Sequence, residues 1–242
     1  MSDSGQRLQR SDTRVVALLE ADPDLGRHLE GAELEAARGQ LRARVLDLRE
    51  GSVSLPALDA THGDLGLLII GGALMRHASI GRVAFAELIG PGDVLRQRGG
   101  SSVANWTALQ PTCVALLERR VNAATARWPE VSAEILDRSV ARACRLAMQV
   151  AVCHLRRVDQ RLLLLLWMVA DRWGRVRTDG VVIPLVLTHQ TLATLVGSHR
   201  PTVTAALKKL ELQGAIGRES QSVWILKGER PEELDRMYAA VM

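Results

Sequence analysis

Hydrophobic residues along this chain follow three spacings in succession. Between about residues 40 and 120 they come in short runs, ARVLDL, GLLIIGG, VAFAELIGPGD and CVALLE, punctuated by Gly and Pro. Apolar runs of that length between turn residues predict β-strands. The stretch LGLLIIGGALMRHASIG predicts two strands joined by a turn at Gly71-Gly72. Ahead of it, Thr13 to Gln40 mixes Leu, Ala and Glu in a helical manner, with a break at Asp22-Pro23-Asp24.

From Trp128-Pro129-Glu130 onward the spacing becomes helical. A proline in the first turn lacks only an N–H that would be unpaired there anyway. No Gly or Pro follows until Gly174, and the polar cluster at Arg157–Asp159 predicts a break. Leu136, Val140, Ala143, Ala147, Val150 and His154 recur at alternating steps of four and three. That is a heptad seam, and its alanines let a second helix approach closely. About 27 residues at ~1.5 Å each give a helix of roughly 40 Å. Such a helix exceeds what a small domain needs for its own core, so the seam predicts a homodimer.

The third region opens with RLLLLLWMVADRWG, a helix to be buried, and an extended piece, GVVIPLVL. LTHQTLATLVGSHRPTVTAALKKLELQGAIGR follows, and AIGRESQSVWILK reads as two short strands around a polar turn. Thr188 suits a helix N-cap, with Leu192, Ala193 and Val196 forming one apolar face behind it. Gly197 ends that helix where a tight turn needs positive φ. Ser198 or His199 caps the next helix, and Pro201 is tolerated in its first turn. Val203, Leu207 and Leu210 then face inward, while Arg200, Thr202, Thr204, Lys208 and Lys209 point out. Small, turn and apolar residues at Ala193, Gly197 and Val203 let the two helices cross closely. This is helix-turn-helix spacing.

Charge supports a polyanion as partner. Residues 156–230 hold 12 Lys+Arg against 6 Asp+Glu, whereas the rest of the chain holds 19 against 21. A basic excess confined to the segment with the two-helix motif points to nucleic acid. Arg200, at the start of the second helix, can donate two hydrogen bonds to guanine O6 and N7. Thr188, Gln190, Thr202 and the lysines are placed for phosphates, which set register rather than sequence. The candidate DNA-binding set is therefore Thr188, Gln190, Ser198, His199, Arg200, Pro201, Thr202, Thr204, Lys208 and Lys209.

Composition narrows the rest. The 242 residues are 47% hydrophobic and 24% charged, which fits a folded globular chain with a real core. Aromatics at 3% leave that core to Leu, Val, Ala and Ile. MSDSGQRLQRSDTR contains no apolar segment and LLLLLWMVA is too short for a bilayer, so a cytoplasmic protein is expected. Cys113, Cys144 and Cys153 show no metal or redox spacing and are expected to be reduced thiols. IIGG lacks both GxGxxG and GxxxxGK[ST], and no Ser/His/Asp or metal-ligand cluster is present, so no enzyme, metal or cofactor is expected.

LTHQTLATLVGSHRPTVTAALKKLELQGAI, with RLLLLLWMVADRWG before it, resembles the DNA-binding end of Crp/Fnr-type bacterial transcription regulators. The order of β-rich region, long helix and winged helix-turn-helix extends the resemblance over nearly the whole chain. It implies an α+β fold in three parts. Residues 1–127 would be a cyclic-nucleotide-binding-like β-roll, residues 128–157 a dimerising helix, and residues 158–242 a winged helix-turn-helix domain. It also implies palindromic double-stranded DNA, a second copy of the chain and RNA polymerase as partners. Among the family's base-reading positions Arg200 matches the arginine. Pro201 stands where Glu is common, and Ala205 where a second Arg often lies.

Members that bind cyclic AMP carry a Gly-Glu pair for the ribose and an Arg-Ser or Arg-Thr pair for the cyclic phosphate. Here GPGDVLRQRGGSSVANWTALQPTC has Arg96-Gln97 where Gly-Glu would fall, and no Arg between Arg98 and Arg119. The resemblance therefore implies a regulator that does not use cyclic AMP. Arg96, Gln97 and Arg98 are the candidate effector site for the alternative, a member responding to another nucleotide or small effector. A haem held through His77 or His154 belongs to the same alternative.

Overall fold

Local hydrophobic spacing sets most elements of the computed structural model, which describes residues 14–53, 55, 64–80, 83–96, 105–220 and 222–241. The order begins β1 (Arg14–Ala17), α1 (Leu18–Ala21), a 3-10 turn (Pro23–Gly26), α2 (Gly31–Gln40), β2 (Arg42–Leu48) and β3 (Gly51–Val53). It continues β4 (Gly66–Ile80), β5 (Val83–Ile89), β6 (Val94–Leu95), β7 (Asn105–Leu117), α3 (Arg119–Thr125) and α4 (Pro129–Cys153). It ends α5 (Val158–Trp173), β8 (Arg175–Arg177), β9 (Gly180–Ile183), α6 (His189–Leu195), α7 (Arg200–Leu212), β10 (Ile216–Ser220), β11 (Val223–Leu226) and α8 (Glu232–Val241). Among the described residues no helix is long and apolar enough to cross a membrane.

The first seven strands form one antiparallel sheet in the order β1-β2-β7-β4-β5, with β3 also on β7 and β6 also on β4. Both long strands change neighbours midway. β7 pairs β2 near its end and β3 near its start. β4 pairs β6 at Leu67 and Leu68 and β5 from Leu74 to Ile80. A sheet paired in this way curls on itself, and Leu67, Ile69, Leu74, Ile89, Leu95, Trp106, Val114 and Leu116 pack in its interior.

Two sequence expectations are corrected in this half. Gly71-Gly72 is not a turn: β4 runs unbroken through it, and the pairing with β7 shifts register between Ile69 and Leu74 instead. The glycines form a β-bulge because β7 is long enough to pair both halves of β4. Thr112 of β7 fixes the bulge, its Oγ1 accepting the Ala73 N–H at 3.1 Å and donating to the Gln110 carbonyl at 2.8 Å. The segment after Thr13, itself outside the described residues, is not helical throughout. Arg14–Ala17 is a strand on β2, a partner that begins 25 residues later in the chain and that no local spacing could announce.

α4 carries two unlike faces. Val131, Ile135, Met148 and Val152 are buried against the body of the molecule. On the opposite side Leu136 is 61%, Val140 54% and Val150 46% exposed, with Ala143 and Ala147 between them. His154 lies just past the helix as its C-terminal cap residue, also exposed.

A second four-stranded sheet, ordered β10-β11-β9-β8, backs the two helices of the C-terminal third. Its core continues into the first half: Ala73 and Ala86 of the large sheet and Met148 and Val152 of α4 share one cluster with α5, α6 and α7. Three polar joints reinforce that contact. Asp93, fully buried after β5, accepts Arg145 of α4 on one oxygen, and on the other Arg172 of α5 at 2.8 Å and the Gly90 N–H at 2.9 Å. The Trp173 indole N–H donates to the carbonyl of Gly72 in the bulge at 3.2 Å, and its ring occupies the space where a side chain at Gly90 would stand. The Gln149 amide donates to Ala86 of β5 at 2.8 Å and to Leu195 of α6 at 3.0 Å.

Candidate nucleic-acid interface

The two-helix unit forms as its residues require. Thr188 stands at the N-cap of α6, and its Oγ1 accepts the Thr191 N–H at 3.1 Å. Gly197 closes that helix at φ +60°, and the Ser198 N–H returns to the Ala193 carbonyl at 2.9 Å. Arg161 of α5 adds a cation there, donating to the Val196 carbonyl at 3.3 Å and to the Leu155 carbonyl at 2.7 Å. His199 occupies the cap position of α7, but neither it nor Ser198 caps that helix with its side chain. Pro201 in the first turn sets the backbone there without a cap.

Val203, Leu207 and Leu210 are buried, and Arg200, Pro201, Thr202, Thr204, Lys208 and Lys209 lie on the outer face. Arg200 and Lys208 enter no ion pair among the described residues. Lys209 departs from expectation: its ammonium is 2.7 Å from Asp159 of α5. Arg157 holds the Asp159 carboxyl well below the usual carboxylate range, and Lys209 adds to that effect. Lys209 therefore ties α7 to α5.

Thr188, His189, Gln190, Arg200, Arg218 and Ser222 line a groove of about 480 Å³ between the helices and the β10–β11 hairpin. Sequence reasoning passed over three of these residues, Ser222 at the hairpin turn and two whose side chains make defined contacts. Arg218 projects from β10, stacks over Trp224 at 4.8 Å and pairs with Glu211 of α7. His189 directly follows the cap, where the only sequence signal is its position beside Thr188. Its imidazole lies 5.9 Å from the Trp224 ring, with Nδ1 2.8 Å from Thr204 Oγ1 and Nε2 3.4 Å from Arg218. Burial, then Arg218 and Arg200, push the imidazole below the usual histidine range. Trp224 anchors the hairpin, fully buried and donating to the Leu187 carbonyl at 2.9 Å.

The remaining candidates lie elsewhere. The exposed seam on α4 is separate from the groove. Arg96 is exposed just after β6, while Gln97 and Arg98 lie outside the described residues. His77 sits on β4 opposite Ala86, and Nδ1 of its ring is buried without a hydrogen-bond partner among the described residues. A short helix ending in a glycine turn, a second helix with an exposed basic start and a flanking hairpin can together enter a DNA groove and grip its backbone.

Comparison with known proteins agrees with that geometry. Residues 160–234 match the family of Crp-like helix-turn-helix domains. A CRP-like cAMP-activated global transcriptional regulator of Mycobacterium tuberculosis is 27% identical over 175 residues, which is 69% of this chain and 78% of that one. FixK2 from Bradyrhizobium japonicum superposes with a TM-score of 0.61 at 16% identity, covering 81% of this chain and 96% of its own. A CRP/FNR-family transcriptional regulator from Thermus thermophilus gives 0.57 at 20% identity, covering 82% of this chain and 100% of its own.

Proposed function

We propose that this chain is a transcription regulator of the Crp/Fnr type and works as a homodimer on palindromic double-stranded DNA. One observation carries the reading: the exposed start of α7, with Arg200 in no ion pair among the described residues, opens onto the basic groove that Arg218 completes. Arg200 reads guanine, and Thr188, Gln190, Thr202 and Lys208 hold phosphates. Residues 1–127 act as the sensing unit, 128–157 as the dimerising unit and 158–242 as the DNA-binding unit of a cytoplasmic protein that engages RNA polymerase at promoters.

Arg200→Ala is expected to cost on the order of 1–3 kcal/mol at the preferred site and to relax discrimination there. Lys208→Ala should instead weaken all sequences alike and lower the salt slope by about one charge. Genome-wide mapping of bound DNA supplies the site, and competition against scrambled duplexes measures both effects. Equal competition by every sequence before and after Arg200→Ala would mean that α7 does not read bases.

The second part of the proposal is that cyclic AMP is not the switch, although the mycobacterial relative is described as activated by it. Arginines that α4 turns toward the body of the molecule are already matched by the chain's own carboxylates: Arg138 by Asp22, Arg142 by Glu87 at 2.8 Å and Arg145 by Asp93. A cyclic phosphate buried against these matched arginines would meet no free cation from them, which is unfavourable by several kcal/mol. A ligand shifts a two-state protein only by its differential affinity for the two states. Purified protein should bind its site without nucleotide, and calorimetry should detect no binding at micromolar cyclic AMP. Binding coupled to a gain in DNA affinity would reverse this part of the reading.

A further inference from the structure

His189 belongs to α6, yet its ring meets groups from three other elements. Thr204 of α7 stands 2.8 Å from Nδ1, Arg218 of β10 stands 3.4 Å from Nε2, and Trp224 of β11 lies alongside at 5.9 Å. The partners decide where the ring proton sits. Thr204 spends its own hydroxyl proton on the Arg200 carbonyl at 3.0 Å, so its oxygen is left to accept from Nδ1–H. Arg218 can only donate, so Nε2 must accept. Hydrogen bonds therefore run in one direction, from Arg218 to Nε2, from Nδ1–H to Thr204, and from the Thr204 hydroxyl to the backbone of Arg200.

We propose that His189, as the neutral Nδ1–H tautomer, is the positioning residue that couples the hairpin to the base-reading end of α7, and that protonating it releases this coupling and relaxes sequence discrimination. An Nε2–H created by protonation would point a donor at a donor, imidazolium against guanidinium. The charged groups facing the ring are Arg218 from β10 and Arg200 and Glu211 from α7, and Trp224 is what β11 presents. Burial first, and then two cations against one carboxylate, oppose the imidazolium, in keeping with a pKa below the ordinary histidine value. The proposal rests on the DNA-binding reading and deepens it by naming what holds the reading residue in place.

The test uses the full-length protein in two arms. In the first, nitrogen-15 shifts of the His189 ring are recorded without DNA. A protonated Nδ1 beside an unprotonated Nε2 at neutral pH is expected, and the opposite tautomer overturns the proposal. In the second arm, affinity for the preferred duplex relative to a scrambled one is measured between pH 5 and pH 8. Loss of one hydrogen-bonded link should lower that ratio about five- to tenfold at the acid end. Non-specific affinity should not fall, because protonation adds positive charge. His189→Asn keeps an N–H at the place of Nδ1 and cannot titrate, so its ratio should be flat with pH and its fold unaltered by circular dichroism. A purely structural histidine would change thermal stability without this profile. A flat wild-type ratio overturns the coupling while leaving DNA binding intact, whereas no preference for any duplex sinks both.

Discussion

Asp93→Ala is expected to destabilise the folded protein by about 3–5 kcal/mol, because it strands two guanidinium groups that now share one carboxylate. Asp93 is fully buried, and Arg172 and Arg145 are mostly so. Burial already pulls the Arg172 guanidinium below the usual arginine range, with Asp93 opposing that pull. Without the carboxylate the two cations face each other, and the Gly90 N–H loses its acceptor as well. Denaturant unfolding measures the loss directly. The variant Asp93→Asn should fall between, since it keeps an acceptor for Gly90 while removing the charge. A loss below about 1 kcal/mol for Asp93→Ala would mean that both arginines reach water once freed.

Ala147→Glu should leave the protomer folded and abolish its pairing. Ala147 is exposed on the outer face of α4, so a longer side chain there replaces no core contact among the described residues. In a symmetric dimer built on the seam it would meet its own copy, two carboxylates across the narrowest part of the contact. Like charges set opposite each other at an interface are unfavourable by several kcal/mol, more than about a hundredfold in dimer affinity. Two recognition helices about 34 Å apart would no longer act together on an inverted repeat, and DNA affinity should drop with the dimer. Sedimentation equilibrium checks the first effect and a binding titration the second. An undiminished dimer would place the contact on another surface.

What the chain discloses by itself is what local chemistry decides. Most of the α6–turn–α7 unit could be drawn in advance because a threonine cap, a positive-φ glycine and an apolar period are each written within a few positions of where they act, although the expected side-chain cap of α7 is not made. The two faces of α4 follow from the same periodicity. By contrast, the β1 strand and the bulge in β4 depend on partners that arrive later in the chain. Apolar runs flanking two glycines fit a hairpin as well as one long strand, and only the length of β7 chooses. Ion pairs are harder still: the adjacent Lys208 and Lys209 cannot be told apart in sequence, yet Lys209 meets Asp159 from 50 residues away. His189 is the extreme case, since its partners come from α7, β10 and β11 and nothing adjacent to it in sequence marks them.

The ring of Trp173 against Gly90 bears on how far the two halves of this protein can be exchanged with those of its relatives. A cut between α4 and α5, at Arg157, looks like the natural place to splice one N-terminal half onto another C-terminal half. Yet Trp173 lies 16 residues beyond that cut and fits only a turn without a side chain at position 90, while its neighbour Arg172 needs the carboxylate at position 93. A foreign turn with any larger residue would wedge the halves apart even though the splice itself was silent. The working unit of exchange is thus discontinuous in sequence: the Gly90–Asp93 turn has to travel with α5.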